Sequence, residues 1–152
     1  PLFTWYHAAI APIGHPLLGL AAVTLADLAA HDVITYDPEF AGRRHIDAAF
    51  RQAGVAPRIV LEATDSDVIK TYVALGLGVG IVSELALGEE DDRRYRSLPI
   101  GRPFRANVTR IAYRAGHMLR GFEREFVELM RRPEPGAQAA GGGRRSMEDE
   151  RS

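Results

Sequence analysis

Four polar residues in a row, Thr64-Asp65-Ser66-Asp67, stand between an aliphatic run and an amphipathic one. Hydroxyls and the free N–H groups of a helix start can hold a small polar ligand. The same residues also make a helix cap: Thr64 at the N-cap, with Asp67 three positions on, has capping-box spacing. Asp65 and Asp67 place negative charge where an anion would lie, which disfavours an anion at this turn. Gly76-Leu77-Gly78-Val79-Gly80 is the second suggestive stretch. A dinucleotide fingerprint follows a strand and opens a helix, so that phosphate meets the helix N-terminus. Here the glycines follow a helical pattern and lead into a strand pattern. They read as a helix stop and a tight connection.

Other reactive types lack partners at useful spacing. His7, His15, His31, His45 and His117 form no i, i+4 pair and no HExxH-like pattern, so the spacing argues against a metal site. Cysteine is missing, which excludes disulfides and thiolate ligands. No Gly-x-Ser-x-Gly elbow occurs. Lys70, the single lysine against eighteen arginines, falls mid-helix opposite the apolar stripe and reads as solvated or paired with an acid. Trp5, the single tryptophan, reads as core or cleft wall. Arg43 and Arg44 read as solvent-facing. No nucleophile–base or acid–base pair emerges, so the expectation is a binding protein, not an enzyme, with no cofactor.

The elements that must position these residues follow from periodicity. Residues 58–63 read as a buried strand, 64–75 as a helix striped by Val68, Ile69, Tyr72, Val73 and Leu75, and 79–82 as the next strand. So short a strand–helix–strand unit requires a parallel crossover. The turn after Ala63 then lies at the carboxyl end of a parallel strand, where open α/β sheets bind ligands. Upstream, 3–11 reads as one strand, 12–16 as a turn, and 25–30 as a short helix with Thr24 and Asp27 at capping-box spacing. Residues 33–36 read as a strand ended by Asp37-Pro38, and 42–53 as a helix on Ile46, Ala49, Phe50 and Ala53, closed by Gly54. Downstream, 85–92 reads as an acidic loop, 95–100 and 107–113 as strands, and 117–131 as a helix striped by Leu119, Phe122, Phe126, Leu129 and Met130. The alternation predicts an α/β sheet with helices on both faces.

Composition agrees with one domain: 152 residues, 46% hydrophobic, net charge −1. Near-neutral charge gives no sign of a nucleic-acid-coating surface. No apolar run reaches about 18 residues, so the expectation is a soluble, cytoplasmic protein with no membrane partner. Residues 133–152 carry almost no large apolar side chain and read as a disordered tail. The start at Pro1, already within a strand pattern, suggests a fragment.

Three motifs together resemble the effector-binding domain of LysR-type transcriptional regulators, and within them the cysteine-regulon (CysB/Cbl-like) branch. They are Phe40-x-Gly42-Arg43, the run from Ala53-Gly54 through Pro57-Arg58-Ile59-Val60, and Ala63-Thr64-Asp65-x-Asp67-Val68-Ile69-Lys70-Thr71-Tyr72-Val73. The resemblance implies a periplasmic-binding-protein-like (type II) α/β fold of two lobes with a ligand cleft between them. It implies a first lobe that is truncated and a second that is essentially complete: 1–10 a hinge strand, 11–100 the second lobe, 101–132 the returning strand and helix of the first. It implies a small effector of the acetylserine, sulfate or thiosulfate type, and a homo-oligomer or pairing with a full-length regulator. DNA would be bound only through a helix-turn-helix absent from this chain. The ligand-facing positions it implies are Trp5, Ala41, Gly42, Thr64 and Asp65. Trp5 matches a cleft-wall tryptophan. Ala41 stands where the branch has an anion-contacting threonine, and losing that donor to a charged group weakens oxyanion binding by roughly 1.5–3 kcal/mol. The first lobe's Thr-x-Thr-Gln motif is missing. A stand-alone binding module or dominant-negative oligomerisation partner is the alternative reading. A returning strand without its lobe-mates would leave open edges and lower solubility.

Overall fold

The computed structural model describes residues 2–88, 93–112, 114, 116, 118 and 120–131. They fall into two compact units, one spanning Thr4–Thr109 and the other holding the remainder. The larger unit is built on a five-stranded sheet. Its strands are β2 (His7–Pro12), β3 (Asp32–Tyr36), β4 (Arg58–Ala63), β5 (Val79–Ser83) and β6 (Tyr95–Ser97), in the order β4-β3-β5-β2-β6. Strand β3 runs parallel to both β4 and β5, while β2 runs antiparallel to β5 and β6. A second, two-stranded sheet pairs β1 (Phe3–Trp5) with β7 (Asn107–Thr109).

Of the three helices of this unit, the first leads from β2 into β3 and the other two connect the parallel strands. Helix α1 (Leu25–Ala29) starts in the expected capping box: Thr24 Oγ1 accepts from Asp27 N, and Asp27 Oδ2 accepts from Thr24 N at 2.8 Å. Helix α2 (Arg43–Gln52) buries Ile46, Ala49 and Phe50, as its period predicts, and Gly54 follows at φ 69°. Helix α3 (Ser66–Ala74) buries Ile69 and Val73 completely against the sheet. Its stripe is narrower than the sequence predicts: Val68 and Leu75 are exposed. The glycines after α3 divide the work. Gly76 adopts φ 81° and stops the helix, whereas Gly78 and Gly80 have no room for a side chain. A Cβ on Gly80 would stand 2.7 Å from Val73 Cγ2, so its absence lets α3 lie close on the sheet.

Several boundaries differ from expectation. The single strand predicted over 3–11 breaks at Tyr6. There the Tyr6 N–H donates to Glu84 Oε1 at 2.8 Å and the Tyr6 carbonyl accepts from Glu84 N at 3.0 Å. Those bonds close the β2–β5 ladder, and the chain before them pairs with β7 instead. Nothing local marks the break, because it lacks Gly and Pro. The strand predicted over 95–100 is shorter, although Leu98 N still reaches Ala9 O at 2.8 Å. The strand predicted over 107–113 ends at Thr109. Tyr113 lies outside the described residues, as do 89–92 of the predicted acidic loop and the tail predicted over 133–152. In the smaller unit, α4 (Gly121–Arg131) begins four residues later than predicted; His117 and Leu119 lie outside the described residues. Phe122, Phe126, Leu129 and Met130 of α4 are exposed. No helix among the described residues is long and apolar enough to cross a membrane.

Candidate functional site

Because β3, β4 and β5 are parallel, their carboxyl ends (Tyr36, Ala63 and Ser83) share one edge of the sheet. Antiparallel β2 starts at that same edge, with His7 opposite Ser83. The turn of residues 37–42, the Thr64–Asp65 turn and the Trp5–His7 segment therefore converge there. This is the edge at which open α/β sheets take ligands.

Tyr36 organises the edge, and local sequence reading missed it. Its hydroxyl accepts from Ser83 N at 2.8 Å and lies 2.6 Å from Ser66 Oγ, tying the end of β5 to the first turn of α3. Its ring stacks on Phe40 at 4.2 Å and 18°, which holds the turn against β3. An aromatic directly before Asp37-Pro38, at a strand's carboxyl end, was the available signal.

Arg43 was also misread. The sequence predicts a solvent-facing side chain, but it is 6% exposed. Its guanidinium donates to the Tyr36 carbonyl, to Asp47 Oδ1 at 2.8 Å and to Glu62 Oε1 at 2.7 Å. Burial works against its charge, and the bonds to Asp47 and Glu62 outweigh burial, so its pKa is raised. The clamp joins β3, β4 and α2 directly behind the 37–42 turn. Arg44, by contrast, is exposed as expected.

Trp5 stands on β1, half-buried, and its indole N–H donates to Thr109 Oγ1 at 3.3 Å. Its ring meets His7 edge-on at 5.1 Å between centroids. His7 is 2% exposed. Asn107 Nδ2 lies 3.3 Å from its Nδ1; an amide nitrogen only donates, so Nδ1 accepts and the neutral ring carries its proton on Nε2. Nε2 has no hydrogen-bond partner among the described residues. Burial, then the nearby His45, lowers the His7 pKa from 6.5 to about 4. Gly42 packs on this ring: a Cβ there would stand 2.9 Å from His7 Nε2. Ala41, next to it, is exposed.

The Thr64 turn is capped one residue later than predicted. Asp65, not Thr64, is the N-cap of α3, and its carboxylate accepts from Asp67 N at 2.6 Å. Asp67 instead pairs with Lys70 Nζ at 2.8 Å, and Lys70 also donates to Ala86 O. Lys70 is therefore held between α3 and the segment after β5, in agreement with the acid-paired reading. Thr64 and Asp65 are both exposed. The edge thus offers an indole and turn backbone, with the Tyr36 phenol buried behind them and hydrogen-bonded to Ser66 and Ser83, and no group of three or more metal-ligating side chains occurs among the described residues. A shallow depression of about 320 Å³ between α2 and β4, lined by Phe50, Val55 and Ile59, lies apart from this edge.

Fold and edge together define a periplasmic-binding-protein-like (type II) effector domain. The model of the LysR substrate binding domain family matches residues 1–133, and the chain belongs to that family. Within it the similarity is to the cysteine-regulon branch. The chain is 53% identical over 130 residues to the HTH-type transcriptional regulator CysB of Burkholderia cenocepacia, covering 86% of this chain and 42% of that protein. It is 41% identical over 129 residues to the regulator cbl of Escherichia coli, covering 85% and 41%. The crystal structure of the cofactor-binding domain of the Cbl transcriptional regulator superposes with a TM-score of 0.74 at 40% identity, covering 86% of this chain and 57% of that one. The chain spans about two-fifths of the length of these curated relatives.

Proposed function

We propose that the chain is the ligand-sensing part of a LysR-type regulator of cysteine biosynthesis and sulfur assimilation, acting in the cytoplasm without catalysis. The observation that carries this is the 53% identity to CysB over 130 residues, and the Thr64–Asp65 turn at the carboxyl edge of the parallel strands supports it. The effector is a small sulfur-pathway metabolite of the acetylserine, sulfate or thiosulfate type, approached by Trp5, Ala41, Gly42, Thr64 and Asp65. In this reading residues 11–100 are the second lobe, 1–10 a hinge strand, and 101–132 the returning part of the first lobe. DNA is gripped by a helix-turn-helix outside these 152 residues.

Two features of the edge bear on the effector. Ala41 has no hydroxyl, and the carboxylates of Asp65 and Asp67 flank the α3 N-terminus, so a doubly charged oxyanion meets little compensation here. Acetylserine, with its own ammonium group, suits this edge better. Titrating acetylserine, thiosulfate and sulfate while following Trp5 fluorescence tests the reading. Acetylserine should change the emission, and Ala41→Thr should strengthen thiosulfate binding about tenfold or more, the worth of one charge-assisted hydrogen bond. No response to any of the three, with Ala41→Thr equally silent, refutes it.

Association with a full-length regulator is the second reading. The exposed apolar row Phe122, Phe126 and Leu129 on α4 favours it. Pull-down with a full-length relative decides: no association leaves ligand sensing alone.

A further inference from the structure

We infer that His7 is a positioning residue of the effector edge, transmitting the placement of the 37–42 turn to the Trp5 wall; this rests on the effector reading above. His7 is the first residue after the Tyr6 break, where the chain passes from one sheet to the other. Its ring meets Trp5 edge-on at 5.1 Å and Phe104 edge-on at 5.9 Å, and lies 6.1 Å from Tyr36. Nδ1 is anchored on Asn107 of β7 at 3.3 Å. The Cε1–Nε2 edge of the ring faces Gly42, where any Cβ would meet Nε2 at 2.9 Å and Cε1 at 3.1 Å, and would also meet Phe40 Cε1 at 3.0 Å. The ring therefore touches β7, Trp5 and the turn at once.

Its chemistry is poorly matched to a purely structural place. Nε2–H is buried without a partner, and the charged form is suppressed by burial. An apolar side chain would fill the place without a buried orphan donor. What imidazole adds is a short, flat ring whose Nδ1 is fixed on β7 while its Cε1–Nε2 edge bears on Gly42. Displacement of the turn by a ligand next to Ala41 must then move the ring, and with it the indole. Packed interiors transmit such shifts because they have no space to absorb them.

The test is a cycle on the full 152-residue chain, read through Trp5, its single tryptophan. Gly42 has φ −75°, so alanine is allowed by the backbone there and acts only through its methyl group. Gly42→Ala should shift Trp5 emission and weaken acetylserine binding about tenfold. With His7→Ala present, the added Gly42→Ala should leave Trp5 emission unchanged, since the transmitting ring is gone. His7→Leu replaces His7→Ala if the latter loses its cooperative melt. Unaltered Trp5 emission in Gly42→Ala, or an equal shift with and without the His7 ring, overturns the inference. A chain that ignores acetylserine, thiosulfate and sulfate, yet shows the Gly42–His7–Trp5 dependence, fails the effector reading and keeps the mechanical coupling. A chain that binds acetylserine without that dependence fails this inference and leaves the effector reading standing.

Discussion

Acidification should destabilise this chain through His7 to an extent that can be isolated by one substitution. The unfolded histidine takes its proton near 6.5, while the folded one resists until about 4, because burial and then His45 disfavour the imidazolium. Between those values the unfolded state binds a proton that the native state does not, so stability falls as pH falls. The contribution is fully present above pH 6.5 and is gone once pH drops below about 4. At roughly 1.4 kcal/mol per pH unit, the interval is worth about 3 kcal/mol, which is a large share of a typical domain's 5–15 kcal/mol. The assay is urea unfolding followed by circular dichroism across this pH range, for the unaltered chain and for His7→Phe. Every ionisable group except His7 is common to the two proteins, so the difference between their curves isolates His7 and its coupling to His45. The pH-independent cost of leaving Asn107 Nδ2 without its acceptor cancels from the slope as well. The unaltered chain should lose about 3 kcal/mol more than His7→Phe on going from neutral pH to pH 4, or about 10 °C in Tm. Parallel curves for the two proteins would refute the premise that a neutral His7 ring is locked in the interior.

Three further outcomes are expected. Arg43→Ala should cost about 2–4 kcal/mol in urea unfolding, since it strips the buried Tyr36 carbonyl and both carboxylates of their donor; a loss under about 0.5 kcal/mol would mean the clamp behaves as an exposed ion pair. Asp65→Ala should destabilise by about 1 kcal/mol while Thr64→Ala leaves stability nearly unchanged, because Asp65 caps α3; the reverse order, measured by thermal melts, would return the cap to Thr64. Gly78→Ala should cost about 1–3 kcal/mol, since its Cβ would meet Asp32 O at 2.4 Å, whereas Gly19→Ala, with nothing within 4 Å, should not.

Neighbours in sequence settled a good deal. The Thr24–Asp27 box, the Gly76 stop and the periods of α2 and α3 depend on residues within one or two helical turns of each other, so they are legible without a fold. Strand–helix–strand alternation around Ala63 likewise placed the carboxyl edge of the parallel strands, because a parallel crossover leaves few choices. The motif resemblance singled out Trp5, Ala41, Gly42, Thr64 and Asp65, which lie in the segments that meet at that edge. The cap itself slipped by one residue, since Thr64 and Asp65 both suit an N-cap and spacing alone could not choose between them.

What only the tertiary structure decided are contacts between residues far apart in the chain. Tyr6 breaks a uniform strand pattern because Glu84 takes both of its backbone groups, 78 positions away. Arg43 turns inward because Glu62 and the end of β3 meet it there, and a doublet of arginines otherwise reads as surface. Tyr36 becomes the pillar of the edge only once Ser66 and Ser83 are brought to its hydroxyl. His7 looks inert as one of five scattered histidines, yet folding seats it between Asn107, Trp5 and Gly42. Burial and hydrogen-bond partners belong to the packed chain, and a polar residue's role at this edge is set by them more than by its neighbours in sequence.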